Sequence, residues 1–199
     1  PMHGIKQDWQ LTSNKILEHA NRINPTREII TRRVGGNIVR TSYAELFTMS
    51  KQVSGALIES GITLGDRVAT LGWNSARHMA AWYGTMGIGA VRHTINPRLH
   101  PEQIAWIANH AEDKVLIFDT PFLEAVKDHL KTIKTFVIFA GADDLPENSV
   151  GAIAFDEWIS GKPLTASWGD FPEETACGLC YTSGTTGNPK GVLYSHRSN

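Results

Sequence analysis

Short apolar runs alternate with helix-patterned segments along most of this chain, and that alternation restricts its fold more than any other feature. Residues 67–72 (RVATLG), 90–93 (AVRH), 114–118 (KVLIF), 135–139 (TFVIF) and 176–182 (ACGLCYT) each read as a strand. Most are apolar with little polar alternation, the pattern of strands covered on both faces. Ser42 and Glu45 form a capping box ahead of a helix that carries Tyr43, Leu46, Phe47, Val53 and Leu57 inward and stops at Gly61. Ser75 caps the next helix, with Met79, Trp82, Tyr83 and Met86 on its buried side. Pro101 occupies a first helical position, and Ile104, Ile107, Ala108 and Ala111 follow on one face. Thr120-Pro121 opens a further helix with Phe122, Val126 and Leu130 along one side.

Ahead of these elements, a Thr12/Ser13 cap predicts a helix whose Ile16, Leu17, Ala20 and Ile23 share a face. Short strands follow at 29–30 and 34–40, turning at Gly35-Gly36. Residues 141–174, rich in Asp, Gly, Pro and Ser, read as the loosest part, with one short helix near 155–159. The expected fold is α/β, a mostly parallel doubly wound sheet flanked by helices. Its expected divisions are an α/β subdomain over 1–140, an irregular connection over 141–174, and a strand, phosphate loop and start of the next helix over 175–199. Ligands of such sheets collect beyond the carboxyl ends of the strands, where 181–190 lies.

A formal net charge of −1 gives no global field to recruit nucleic acid. The first ten residues are polar and show no signal-peptide core, and no apolar run approaches the roughly 20 residues of a spanning helix. Cys177 and Cys180 sit in an apolar strand pattern without further ligands nearby, so they read as small core residues in a reduced, cytoplasmic setting rather than as a zinc or redox pair. His93, His100 and His110 lack metal-ligand spacing and read as structural or surface residues, and His196 is close enough in sequence to the loop to approach a substrate. Trp73, Trp82 and Trp106 read as core, while Trp158 and Trp168 lie in the irregular segment, from which they can reach an interface. Gly84 to Gly89 ends a helix rather than opening one, which argues against a dinucleotide fingerprint.

The chemistry concentrates in 182–187 (TSGTTG), where three threonine hydroxyls, a serine and two glycines follow a strand, with Lys190 close behind. Glycines let backbone N–H groups close around an anion, hydroxyls add neutral donors, and the lysine supplies charge. A polyphosphate needs all of these together. The loop is not the P-loop of NTPases, because Pro189 stands where that motif has glycine and Gly191 where it has Ser or Thr.

The run Tyr181-Thr-Ser-Gly-Thr-Thr-Gly-Asn-Pro-Lys-Gly191 resembles, almost letter for letter, the signature of the AMP-binding (adenylate-forming) superfamily of acyl-CoA synthetases, luciferases and peptide-synthetase adenylation domains. Residues 41–46, 61–69 and 111–119 look like further landmarks of that family in the right order. Residues 70–75 (TLGWNS), 93–101 (HTINPRLHP) and 192–197 (VLYSHR) are similar to its medium- and long-chain fatty-acid–CoA ligase branch. The resemblance implies a two-step reaction with ATP, Mg²⁺ and CoA as co-substrates. A carboxylic acid, in this branch a fatty acid, becomes acyl-AMP with loss of pyrophosphate, and CoA thiol then displaces AMP.

By the same resemblance Thr182 helps to bind Mg²⁺, while Ser183, Gly184, Thr185, Thr186, Gly187 and Lys190 complete the grip on the β- and γ-phosphates. The family's adenine-binding segment and its catalytic lysine belong to sequence beyond 199, so the chain reads as an N-terminal portion without a catalytic residue of its own. A noncatalytic nucleotide-binding module or a dimerisation module stays open for this portion alone, since N-terminal regions of such ligases can pair as homodimers. The 199-residue chain assayed by itself is expected to leave pyrophosphate exchange with a fatty acid at background, and measurable turnover would overturn that expectation.

Overall fold

The computed structural model describes residues 8–33, 35–126, 130–149, 151–182 and 187–199. In chain order its elements are α1 (Asn14–Ile23), β1 (Glu28–Arg32), β2 (Ile38–Ser42), α2 (Tyr43–Glu59), β3 (Arg67–Leu71), α3 (Ala76–Gly87), β4 (Val91–Thr94) and α4 (Pro101–His110). There follow β5 (Val115–Phe118), α5 (Leu123–Val126), β6 (Thr135–Ile138), β7 (Ile153–Ala154), α6 (Phe155–Ile159), β8 (Ala176–Thr182) and β9 (Lys190–Ser195). The strands β1 and β2 form an antiparallel hairpin. The other seven form one sheet in the order β7-β6-β5-β3-β4-β8-β9, parallel throughout except for β9.

The local signals explain the elements. Ser42 accepts from the Glu45 amide while the Glu45 carboxylate accepts from the Ser42 amide, so the capping box starts α2 as expected. Ser75 caps α3 through the His78 amide, and Pro101 stands in the first turn of α4. Alternate residues of each central strand serve two cores. Val68, Val115, Ile117 and Val137 face α2, α3 and α6, whereas Ala69, Leu71, Leu116, Phe118 and Ile138 face α4 and α5. That two-sided cover is why the strands read as unbroken apolar runs.

Four expectations are corrected. On α1, Leu17 is buried, but Ile16 and Ile23 stand 63% and 56% exposed, because only one edge of this helix meets α2 and α3. Ser13 does not cap α1, its hydroxyl pairing with His196 instead. Trp73 lies 44% exposed on the turn after β3, while Trp158 is buried at the end of α6. Residues 190–195 form a strand, not the start of a helix. β8 leaves a free edge there, and Val192, Leu193 and Tyr194 suit the extended backbone that pairs with it. Trp168, from the irregular 162–175 segment, packs back onto the core against Phe47 and gives its indole N–H to Ser54.

Gly84 marks where α2 and α3 cross. A Cβ there would stand 2.6 Å from the Ser50 carbonyl oxygen and from a Val53 methyl. Gly84→Ala is therefore expected to cost about 1–3 kcal/mol of unfolding free energy, through forced separation of the two helices. Urea denaturation checks it, and an unchanged midpoint would show that the crossing yields without cost.

Candidate functional site at the carboxyl edge of the sheet

The residues expected to grip phosphate run from the end of β8 to the start of β9. Thr182 ends β8 and Lys190 begins β9, and the two are register partners across the antiparallel ladder. Partners in such a ladder project from the same face with Cβ atoms about 5 Å apart, so the structure brings the Thr182 hydroxyl and the Lys190 ammonium to one side of the loop's mouth. Both are exposed, and Lys190 has no carboxylate partner among the described residues. Gly187, at φ +94°, occupies the left-handed region that glycine tolerates at no steric cost. Ser183, Gly184, Thr185 and Thr186 lie outside the described residues.

One side of the loop's root is held by side chains that the sequence did not flag as functional. The Tyr181 hydroxyl lies 2.7 Å from His110 Nδ1, and Trp106 stacks on the His110 ring at 4.7 Å between centroids. The Tyr181 ring also faces His93 at 5.3 Å. His93 is fully buried on β4, and its Nδ1 lies 2.9 and 2.7 Å from the two carboxylate oxygens of Asp113. Burial pushes the Asp113 carboxyl up, and the hydrogen bond from His93 pulls against it. Burial, with the Asp113 charge second, also raises the Tyr181 phenol, which keeps its proton for hydrogen bonding. Gly191 lies opposite Tyr181 in the ladder, where a Cβ would come within 3.1 Å of the phenol ring. The second departure from the P-loop pattern thus has a steric reason.

The carboxyl ends of β3, β5 and β6 border a cleft of about 950 Å³, roofed by the β1–β2 hairpin. It opens where chain connections from β3 and β5 leave toward opposite faces of the sheet, the position at which doubly wound folds take ligands. The Asp119 carboxylate accepts from the Trp73 amide at 2.6 Å, and Arg77 forms a two-pronged pair with Asp156. Burial pushes the Asp119 carboxyl up, against that amide and the Arg77 charge. No local motif announces this cleft, because it is made by a hairpin folding over strands distant in sequence.

The expectation that His196 approaches a substrate is not met. The residue is buried, its Nδ1 accepts from the Ser13 amide at 3.0 Å, and its ring packs on Phe171. Of the two cysteines, both free, Cys177 is fully buried and Cys180 partly so.

The sequence profile of the AMP-binding enzyme family matches residues 17–199, and the chain belongs to that family. Its curated relatives are acyl-CoA ligases. The chain is 42% identical to 3-methylmercaptopropionyl-CoA ligase of Ruegeria lacuscaerulensis, over 99% of this chain and 37% of that protein. It is 44% identical to the long-chain-fatty-acid–CoA ligase of Thermus thermophilus, over 96% of this chain and 34% of the relative. Among solved structures, the anthranilate CoA ligase AuaEII in complex with anthranoyl-AMP superposes with a TM-score of 0.84 at 25% identity, over 98% of this chain and 37% of that one. The chain therefore corresponds to the N-terminal part of acyl-CoA ligases and spans about a third of the length of the relatives it matches.

Burial lowers the His196 pKa from 6.5 to about 4. In the unfolded chain the ring takes up its proton near the ordinary value while the folded ring stays neutral, so folding loses stability as pH falls from 6.5 toward 4. Above 6.5 this group contributes no slope. His78, lowered chiefly by burial, acts in the same direction. His196→Gln is expected to flatten the decline in stability across that window, as measured by denaturant unfolding at a series of pH values. An unaltered slope would assign the acid sensitivity elsewhere.

Proposed function

We propose that the chain is the phosphate-gripping N-terminal part of an ATP-dependent acyl-CoA ligase, which converts a carboxylic acid, in our reading a fatty acid, to acyl-AMP and then to acyl-CoA. The observation that carries this is the pairing of Thr182 with Lys190 across the mouth of the 181–191 loop. A hydroxyl and an ammonium with no carboxylate partner among the described residues, on one side of a hairpin, suit the oxygens of a polyphosphate. Lys190 neutralises charge on the β- and γ-phosphates, which leave together as pyrophosphate. Ser183, Gly184, Thr185, Thr186 and Gly187 supply the remaining donors. Catalysis of this kind comes from positioning and charge neutralisation rather than from a nucleophile on the protein.

Thr182 offers one neutral oxygen, which fits a Mg²⁺ ion that arrives with the ATP phosphates and keeps most of its own ligands. CoA is the second co-substrate. The division into an α/β subdomain over 1–140, a connection over 141–174 and the strand–loop unit over 175–199 is part of the same reading, with β9 in place of the expected helix. So is a cytoplasmic setting, supported by two free cysteines; no helix among the described residues is long and apolar enough to cross a membrane. A homodimer fits the exposed Ile16 and Ile23 on α1.

The fatty-acid assignment rests on residues 70–75 and 93–101, since relatives named for 3-methylmercaptopropionate and for long-chain fatty acids are about equally similar. Two measurements on the full-length protein test the reading. AMP release with CoA across an acyl panel is expected to favour medium- or long-chain acids over 3-methylmercaptopropionate and benzoate, and the reverse ranking would overturn the acyl class. Lys190→Ala is expected to lower kcat/KM for ATP by about 10²-fold, and an unchanged value would remove the loop from the mechanism.

A further inference from the structure

The parallel ladder between β8 and β4 covers only two register pairs, Arg92 with Gly178 and His93 with Leu179. Beyond Leu179 the tip of β8 is hydrogen-bonded as a ladder on one side alone, to β9, and that partner strand is itself the edge of the sheet. Tyr181 and Thr182 would therefore be a loosely anchored hairpin end if backbone pairing were all that held them. We propose that His110, His93 and Asp113 are positioning residues that replace the missing ladder by clasping the Tyr181 side chain, and so fix the direction of Thr182. The proposal rests on the reading of 181–191 as the phosphate grip.

The parts of the clasp have separate tasks. The phenol O–H of Tyr181 donates to His110 Nδ1, and the stacked Trp106 keeps the imidazole plane from turning. Asp113 accepts from Nδ1 of His93, which sets that tautomer and holds the ring as a fixed wall beneath the phenol. The arrangement is a costly way to fill space. His93 Nε2 is buried with no hydrogen-bond partner among the described residues, where an aliphatic side chain would leave no polar atom unsatisfied. A planar, fixed ring that supports Tyr181 accounts for the choice. Thr182 is the next residue along the strand, so rotation of the Tyr181 backbone is passed directly to the Thr182 hydroxyl.

His110 is exposed, which separates positioning from packing, because removing an exposed ring disturbs no core. The test uses the full-length protein and its variants His110→Ala, His110→Asn, Tyr181→Phe and the double variant His110→Ala/Tyr181→Phe. Backbone amide NMR shifts of Thr182, Gly187 and Gly191 report the hairpin end, calorimetry with inorganic pyrophosphate and Mg²⁺ reports the grip, and thermal unfolding reports the fold. His110→Ala and Tyr181→Phe are expected to move those amides and weaken pyrophosphate about five- to tenfold, the size of one hydrogen bond. The double variant should add little to either single loss, and His110→Asn, which retains an acceptor, should recover most of it. Amide positions unmoved in His110→Ala would overturn the clasp, as would a loss of melting temperature with unaltered shifts and affinity. If the unmodified full-length protein binds no pyrophosphate, the phosphate-grip reading fails, while the amide shifts still decide whether the clasp orients the hairpin.

Discussion

Where the 181–191 loop is rooted depends on β8 lying beside β4, a strand that precedes it by more than 80 residues. Only Arg92 with Gly178 and His93 with Leu179 pair along that line. Gly178 and Cys177 are small enough for the new strand to enter beside β4, and the parallel direction delivers its carboxyl end to the same edge as β3, β5 and β6. Everything attributed to the loop follows from that placement. Thr182 reaches solvent because β8 outruns its neighbour. Lys190 comes to it because the chain turns back along the free edge instead of crossing over. A parallel crossover would have carried Lys190 to the other end of the sheet.

The order of strands and helices, the caps at Ser42 and Ser75, Pro101 and the short helix at Phe155–Ile159 were all legible in the sequence, because each is a local matter of period, capping chemistry or a missing N–H. The misreadings share a different cause. Residues 190–195 pair with an edge of β8, which is invisible to any window that contains only those residues. Ile16 and Ile23 obey helical spacing, yet of the apolar residues of α1 only Leu17 reaches the core packed by α2 and α3. Trp158 and Trp168 lie in a segment of loop-like composition, but Gly87 leaves a notch for the Trp168 indole, where a Cβ would come within 2.4 Å of the ring. Of the candidate site, the sequence points to 181–191 through its motif, whereas the frame around Tyr181 comes from three separate elements.

Histidines carry much of that frame, and the reason is geometric rather than catalytic. His78 gives its Nδ1 proton to the Trp73 carbonyl, while its Nε2 accepts from the Thr70 hydroxyl, so one ring ties the turn after β3 to the strand behind it. Burial, aided by the Arg92 charge, lowers its pKa and keeps it neutral, the only form that can donate from one nitrogen and accept at the other. His93, at the root of the 181–191 loop, is held at one end only, its Nδ1 donating to Asp113 while its Nε2 has no hydrogen-bond partner among the described residues. A ring fixed by hydrogen bonds suits strand ends, where the ladder stops and the next residue must still be aimed.

The two features at the carboxyl edge are therefore separated by a single strand. The cleft lies beyond β3, β5 and β6, the loop lies beyond β8, and β4 runs between them with His93 toward Tyr181. Thr94, the last residue of β4, pairs in register with Thr70, which holds His78 and through it Trp73 at the lip of the cleft. To one side of β4 Tyr181 is tied to His110, and to the other His78 ties Trp73 to Thr70, by hydrogen bonds that do not depend on any ligand. An edge preorganised in this way has its groups in place before any ligand arrives, so that they need no rearrangement to meet one.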